Sequence, residues 1–174
     1  MSYRGPGRRL RNISVNLNGD HQLSNAALAL CAADVMSGLG YTITDDRIRS
    51  ALCAVAWQGR CEKVREKPVV ILDGAHNASG ARALKHFIRT NYQGCRKVMV
   101  FGVMRDKQYR KMLESMDDCI DLAILTRPRT DRALDAAEMK NVPKNSIVTT
   151  DTRSALKRAR EIAGDHDVVV VTGS

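Results

Sequence analysis

The chain has 174 residues, 44% apolar, 27% charged and 4% aromatic, with a formal net charge of +9. That length fits one ordinary domain with a sizeable core, and the composition excludes a mainly disordered chain. The longest apolar runs are short strands such as Pro68–Leu72, and the basic start has no apolar stretch behind it, which excludes a bilayer span and a secretory signal.

Residues 1–18 read as a basic arm and linker strand. Arg4, Arg8, Arg9 and Arg11 lie in an end with the character of a disordered or truncated terminus, and residues 10–18 alternate as a half-buried strand does. Residues 19–60 read as a helical segment. A helix opens at Asp20, with Leu23, Ala26, Ala27, Leu30, Cys31, Val35 and Leu39 as its apolar stripe and Gly38 and Gly40 as its stop. Thr44 caps a second helix that buries Ile48, Ala51, Leu52 and Val55.

Residues 61–174 then change period. Strands are predicted near 69–72, 97–103, 122–126, 146–149 and 168–172, with helices near 79–91, 108–116, 133–141 and 152–163. The strands are continuous apolar runs, as strands buried on both faces are. The fold class is therefore α/β: a Rossmann-like open, mostly parallel sheet with helices on both faces, and 61–66 as an antiparallel edge strand beside 68–72. In such sheets ligands sit beyond the carboxyl ends of the strands.

The residues there are polar. Asp73-Gly-Ala-His-Asn77 joins a strand to a helix. Asp73 either accepts from a ribose hydroxyl or only closes the turn. His76 either meets a phosphate, carboxylate or base, or is a solvated loop residue. Asn77 or Ser79 caps the helix, whose open amides favour an anion. Arg60, after Trp57-Gln-Gly59, is a candidate phosphate clamp, with Glu62 as its alternative partner. Asp106 and Lys107 follow a strand, where a lysine holds a substrate carboxylate or merely pairs with its neighbour. His21 and Asn25 share a helix face.

Other chemistry is disfavoured. The five cysteines (31, 53, 61, 95 and 119) form no Cys-x-x-Cys, which suits reduced thiols in a cytoplasm. The four histidines lack metal-ligand spacing, and neither a P-loop nor a Gly-x-Gly-x-x-Gly fingerprint occurs.

Five segments stand in one order: Gly19-Asp-His-Gln-Leu-Ser-Asn25 and on to Leu30, Trp57–Glu62, Val70–Asn77, Phe101–Lys107 and Val171–Ser174. The series resembles the C-terminal half of folylpolyglutamate synthase/dihydrofolate synthase, a Mur-ligase-type ATP-dependent amide ligase, over residues 10–174. The resemblance implies that a folate or dihydropteroate carboxylate is phosphorylated by ATP with Mg2+, and that L-glutamate then attacks the acyl phosphate. It implies that Asn25, Arg60, Asp73 and His76 contact the nucleotide, with Arg60 and His76 catalytic. Asn77, Asp106, Lys107 and Ser174 line the glutamate side, and this domain supplies no metal ligand.

The resemblance also implies that the P-loop and the magnesium ligands sit in an N-terminal ATPase domain absent from these residues. The chain is therefore expected to be a domain fragment inactive alone, a cytoplasmic monomer without membrane contact. The alternatives are a domain of another Mur-type amino-acid ligase, or a stand-alone basic Rossmann-like module that binds nucleotides or nucleic acid through its +9 charge. Sparse aromatics disfavour nucleic acid.

Overall fold

Contacts in the computed structural model, which describes residues 1–173, divide the chain after Trp57. In the N-terminal unit, β1 (Tyr3–Arg4) pairs with β2 (Arg9–Leu10) in an antiparallel ladder. The strand expected over 10–18 is thus corrected to its first residue. Ile13 and Asn16 donate instead to the carbonyls of Met1 (2.8 Å) and Leu52 (2.9 Å), single bonds to separate segments that build no ladder.

The arm is also not a loose end. Its Arg8 forms an ion pair with Asp34 of α1 (His21–Gly38), and Asp34 also accepts from the Tyr3 hydroxyl (3.0 Å) and the Gly7 amide (3.3 Å). This contact turns α1 about its axis. The buried row is Gln22, Ala26, Leu30 and Asp34, spaced four apart, while Leu23, Val35 and Leu39 of the expected stripe are exposed. Thr44 caps α2 (Asp45–Ala54) by accepting from the Arg47 amide (3.3 Å). Ile48 closes a small core with Leu10, Ile13 and Leu30.

The second unit runs from Gln58. A hairpin of β3 (Glu62–Glu66) and β4 (Val69–Asp73) leads to α3 (Ala78–Asn91), β5 (Lys97–Gly102), α4 (Tyr109–Met116) and β6 (Leu122–Leu125). A 3-10 turn (Ala136–Met139), β7 (Ser146–Val148), α5 (Thr152–Ile162) and β8 (Val168–Gly173) complete it. The helix expected over 133–141 shrinks to that turn. The segment before it is drawn to the end of β5: Leu134 donates to the Val103 carbonyl (2.9 Å) and Ala133 bridges Met104.

The sheet order is β3-β4-β8-β5-β6-β7, parallel except for β3 on β4. Right-handed crossovers dictate the layers. The connections from β4 to β5 and from β5 to β6 move one way across the sheet and lay α3 and α4 on one face. The return from β7 to β8 runs the other way and lays α5 on the opposite face. Side chains alternate to match: Ile71, Met99, Phe101 and Val170 pack under α3 and α4, and Val98, Val100, Ile124 and Val169 under α5. The α/β class, the helices on both faces and the antiparallel edge strand are as the sequence predicts.

Gly173 has φ +116°, and a Cβ there would lie 1.8 Å from the Gly102 carbonyl oxygen. Gly173→Ala is expected to cost on the order of 3–5 kcal/mol of unfolding free energy. Gly94→Ala, at φ +73° in open space, is expected to cost about 1 kcal/mol, and urea unfolding compares them.

In the N-terminal unit, burial alone would raise the Asp34 carboxyl. The hydrogen bonds from Arg8, Tyr3 and the Gly7 amide outweigh burial and hold the group below its ordinary value. Its stabilising effect is therefore complete above the unfolded value, about 3.9, and fades as pH falls through the lower folded value. Urea titrations followed on α1 amides are expected to show this unit weakening below about pH 4, and Asp34→Asn to weaken it at pH 7 and flatten that dependence.

Candidate functional site

The carboxyl ends of β4, β8, β5 and β6 form one edge of the sheet. Gly102 pairs with Gly173, and Gly74 follows Asp73, the register partner of Thr172. Two adjacent strands thus end in glycine, and β4 beside them is followed by one. A Cβ on Gly102 would meet the Pro128 ring at 3.0 Å, so the bare backbone lets neighbouring segments close together. On the α5 face this edge leaves a cleft of about 380 Å³, lined by Leu72, Val100, Val171, Thr126, Pro128 and Thr152.

Thr126 is 3% exposed, yet its hydroxyl has no hydrogen-bond partner among the described residues; the Thr172 hydroxyl is in the same state. Buried hydroxyls normally find partners, and orphaned ones gather at ligand sites. The sequence gives no sign of this, because an unpaired hydroxyl is a property of assembled neighbours.

Asp73 is the knot of the edge. Its carboxylate accepts from the Cys61 amide (2.9 Å), the Ala75 amide (2.9 Å) and the Cys61 thiol (3.4 Å). The Gly74 amide donates to the Gly59 carbonyl (2.7 Å), and the Gly59 amide to Glu62 (2.7 Å). Glu62 therefore holds the loop backbone. Cys61 sits at φ +47°, a left-handed position that such fixed contacts hold in place. Burial, then the Asp73 charge, pushes the Cys61 thiol well up, so it serves as a donor to Asp73 and stays protonated.

These bonds place Arg60 and His76, both exposed, on the two segments tied together by Asp73 and Gly74. His76 Nδ1 lies 3.0 Å from the Gly74 carbonyl. A carbonyl only accepts, so this bond assigns the proton to Nδ1 and leaves Nε2 for an outside partner. Asn77 caps α3, accepting from the Gly80 amide (2.8 Å), and leaves the first helical amides without intrahelical partners.

Asp106 and Lys107 follow β5 and pair with each other at 2.8 Å, with Arg132 on the other carboxylate oxygen at 3.2 Å. The bond from Lys107 is the main reason that the Asp106 carboxyl stays below its ordinary value. Arg132 joins the pair because the bridge from Met104 to Ala133 brings it back from 26 residues away in sequence. Asn25 stands exposed on α1 in the N-terminal unit, donating to Gln22 Oε1 (3.0 Å). Ser174 lies outside the described residues. Among those residues no group of three His, Cys, Asp or Glu side chains is placed to hold a metal ion, and no helix is long and apolar enough to cross a membrane.

The chain matches the family described as "Mur ligase, glutamate ligase domain" over residues 59–174. It is similar to the dihydrofolate synthase/folylpolyglutamate synthase of Bacillus subtilis, 32% identical over 178 residues, which cover 100% of this chain and 41% of that protein. Its fold is similar to the folylpolyglutamate synthase of Mycobacterium tuberculosis complexed with ADP, at TM-score 0.85 and 29% identity over 98% of this chain and 41% of that one. It is also similar to a bifunctional folylpolyglutamate synthase/dihydrofolate synthase with Mn, AMPPNP and L-glutamate bound, at TM-score 0.85 and 30% identity over 97% and 40% of the two chains. The chain spans about two fifths of the length of these relatives. The matched residues take in every element from β3 to β8 and the whole Asp73 knot, and the chain belongs to the family of Mur ligase glutamate ligase domains.

Proposed function

We propose that this chain is the glutamate-ligase domain of an ATP-dependent folylpolyglutamate/dihydrofolate synthase. In this reading the enzyme joins L-glutamate to a folate or dihydropteroate carboxylate. The observation that carries it is the Asp73 knot, which holds a cation (Arg60) and a histidine with one open nitrogen (His76) at the carboxyl edge of a sheet in this family. ATP with a divalent metal supplies the phosphoryl group that activates the substrate carboxylate. The metal belongs with the P-loop ATPase domain, whose motif these residues do not contain.

The roles in this domain follow from charge and reach. Arg60 offsets charge on the phosphates, a preorganised cation where negative charge develops. Asp73 orders the loop and presents any remaining lone pair to a ribose hydroxyl. His76 offers Nε2 between the nucleotide and the incoming amine. Asn77, Lys107 and Arg132 attract the carboxylates of glutamate, and Asp106 offsets part of that positive charge. When the amine attacks the acyl phosphate, the new C–N bond forms as phosphate leaves, and the amine proton passes to a nearby acceptor. Asn25 is assigned to the nucleotide, and Ser174 to glutamate, through the family resemblance alone. A cytoplasmic monomer completes the reading.

An amide NMR titration tests it. L-Glutamate is expected to shift residues 104–107 and 77, and Mg-ATP residues 59–61 and 73–76, with Arg60→Gln weakening the nucleotide response about tenfold, the loss of a charged phosphate contact worth about 1.4 kcal/mol. Silence to both ligands, persisting when the chain is joined to its ATPase domain, would sink the reading. So would salt-sensitive shifts confined to residues 4–11 and 60–67 on adding an oligonucleotide. Thr126→Val supplies a second test. It is expected to leave the fold unchanged or to raise its stability by up to about 1 kcal/mol, because it removes a buried unpaired hydroxyl. The ligand response of the edge is expected to weaken. A clear loss of thermal stability would show instead that the hydroxyl is structurally bonded.

A further inference from the structure

The excess positive charge is not spread evenly. On the outer side of α5, Arg153, Lys157 and Arg160 follow one another along the helix. With Arg129, Thr152 and Leu156 they line a groove of about 740 Å³. The carboxylate in this groove is Glu161, which also pairs with Arg158 and lies 3.9 Å from Lys157. Among the described residues Arg129, Arg153 and Arg160 enter no ion pair. The carboxylate of Asp151 at the start of the helix does not neutralise them, because it caps the amides of Arg153 and Ser154 (2.8 and 3.0 Å).

A second basic groove lies along α3, but it is compensated. There Asp118 pairs with both Lys85 and Arg89. That groove also reaches Lys97, the first residue of β5, at the amino edge of the sheet. The α5 groove instead adjoins the cleft at the carboxyl edge, since Thr152 lines both.

We infer that the α5 groove is a binding track for an oligo-γ-glutamate chain leaving the carboxyl-edge site, an inference that rests on the ligase reading above. Three features of the groove select this class of polyanion. Its cations rise along the helix in steps of three and four residues, about 4.5 and 6 Å. A γ-linked glutamate repeat, two carbons longer than an α-peptide repeat, places a carboxylate about every 6 Å. Leu156 is exposed between the cations and suits the two methylenes of each repeat. Among the described residues no aromatic side chain lines the groove for a base to stack on.

The test titrates this chain with L-glutamate, γ-linked tetraglutamate, tripolyphosphate and a short oligonucleotide, followed by amide NMR. Tetraglutamate is expected to shift residues 152–160 and to bind at least tenfold more tightly there than glutamate. The triple variant Arg153→Gln, Lys157→Gln, Arg160→Gln is expected to abolish that gain. Its unfolding midpoint and its Mg-ATP response at 73–76 are expected to stay unchanged. Arg82→Gln with Arg89→Gln on α3 is expected to change nothing. Equal affinity for glutamate and tetraglutamate overturns the inference, as does an unaffected triple variant. Binding of tripolyphosphate or oligonucleotide to 152–160 as tight as tetraglutamate also overturns it, because the face is then a general polyanion surface. If Mg-ATP shifts 73–76 and tetraglutamate does not shift 152–160, only the track fails; if neither responds in the protein joined to its ATPase domain, the ligase reading fails with it.

Discussion

The second unit depends on the insertion of β8 between β4 and β5. Val168–Val171 and Thr172 are hydrogen-bonded along both edges, and their side chains reach both layers of the core. This strand arrives last and joins two that formed far earlier in the chain, so its contacts are long-range. A run of four valines suits that place, because β-branched side chains pack well on a pleated surface with both faces covered. Its last step is the tightest. Gly173 passes Gly102 so closely that no side chain fits, and that closeness forms the floor of the carboxyl-edge cleft.

The same economy of contacts governs the edge chemistry. Asp73 spends its carboxylate on the protein itself, on Cys61 and Ala75. That use fixes the 59–61 loop against the 73–77 turn and puts Arg60 and His76 on neighbouring segments. An aspartate that is internally satisfied orders its neighbours, and in the proposed reading Asp73 acts chiefly as a positioning residue. Lys107 is likewise tied to Asp106, with Arg132 as the second cation. The pair and Arg132 carry a net single positive charge, enough to favour a carboxylate without leaving two bare cations side by side.

Charge explains the partition of the remaining surface. A net charge of +9 over 174 residues suits negatively charged ligands without saying where they sit. The ion pairs show where that charge is already met within the protein. Asp34 absorbs Arg8, and Asp118 absorbs Lys85 and Arg89, whereas Arg129, Arg153 and Arg160 of the α5 groove enter no ion pair among the described residues. Basic residues also gather near 4–11 and 60–67, where Arg8 pairs with Asp34 and Lys63 with Glu66. Along α5, Arg153 and Arg160 stay outside any ion pair among the described residues, with Lys157 between them at 3.9 Å from Glu161.

By itself the sequence determined the period of the second unit. Continuous apolar strands separated by amphipathic helices leave few ways to bury both faces of a sheet, and right-handed crossovers select among them. It also determined that the polar turns, Asp73–Asn77 and Asp106–Lys107, fall at the strand ends where ligands bind, because the turn residues follow directly on the apolar runs. The tertiary structure decided the rest, for reasons that local pattern does not contain. Asp34 turned α1 so that a row with Gln22 faces inward and Leu23, Val35 and Leu39 face out, since a buried carboxylate needs its arginine. The segment near 133 gave up helix to bond the end of β5. The unpartnered Thr126 hydroxyl and the glycine floor exist only once β4, β8, β5 and β6 lie side by side, because burial and close approach are properties of neighbours distant in the chain.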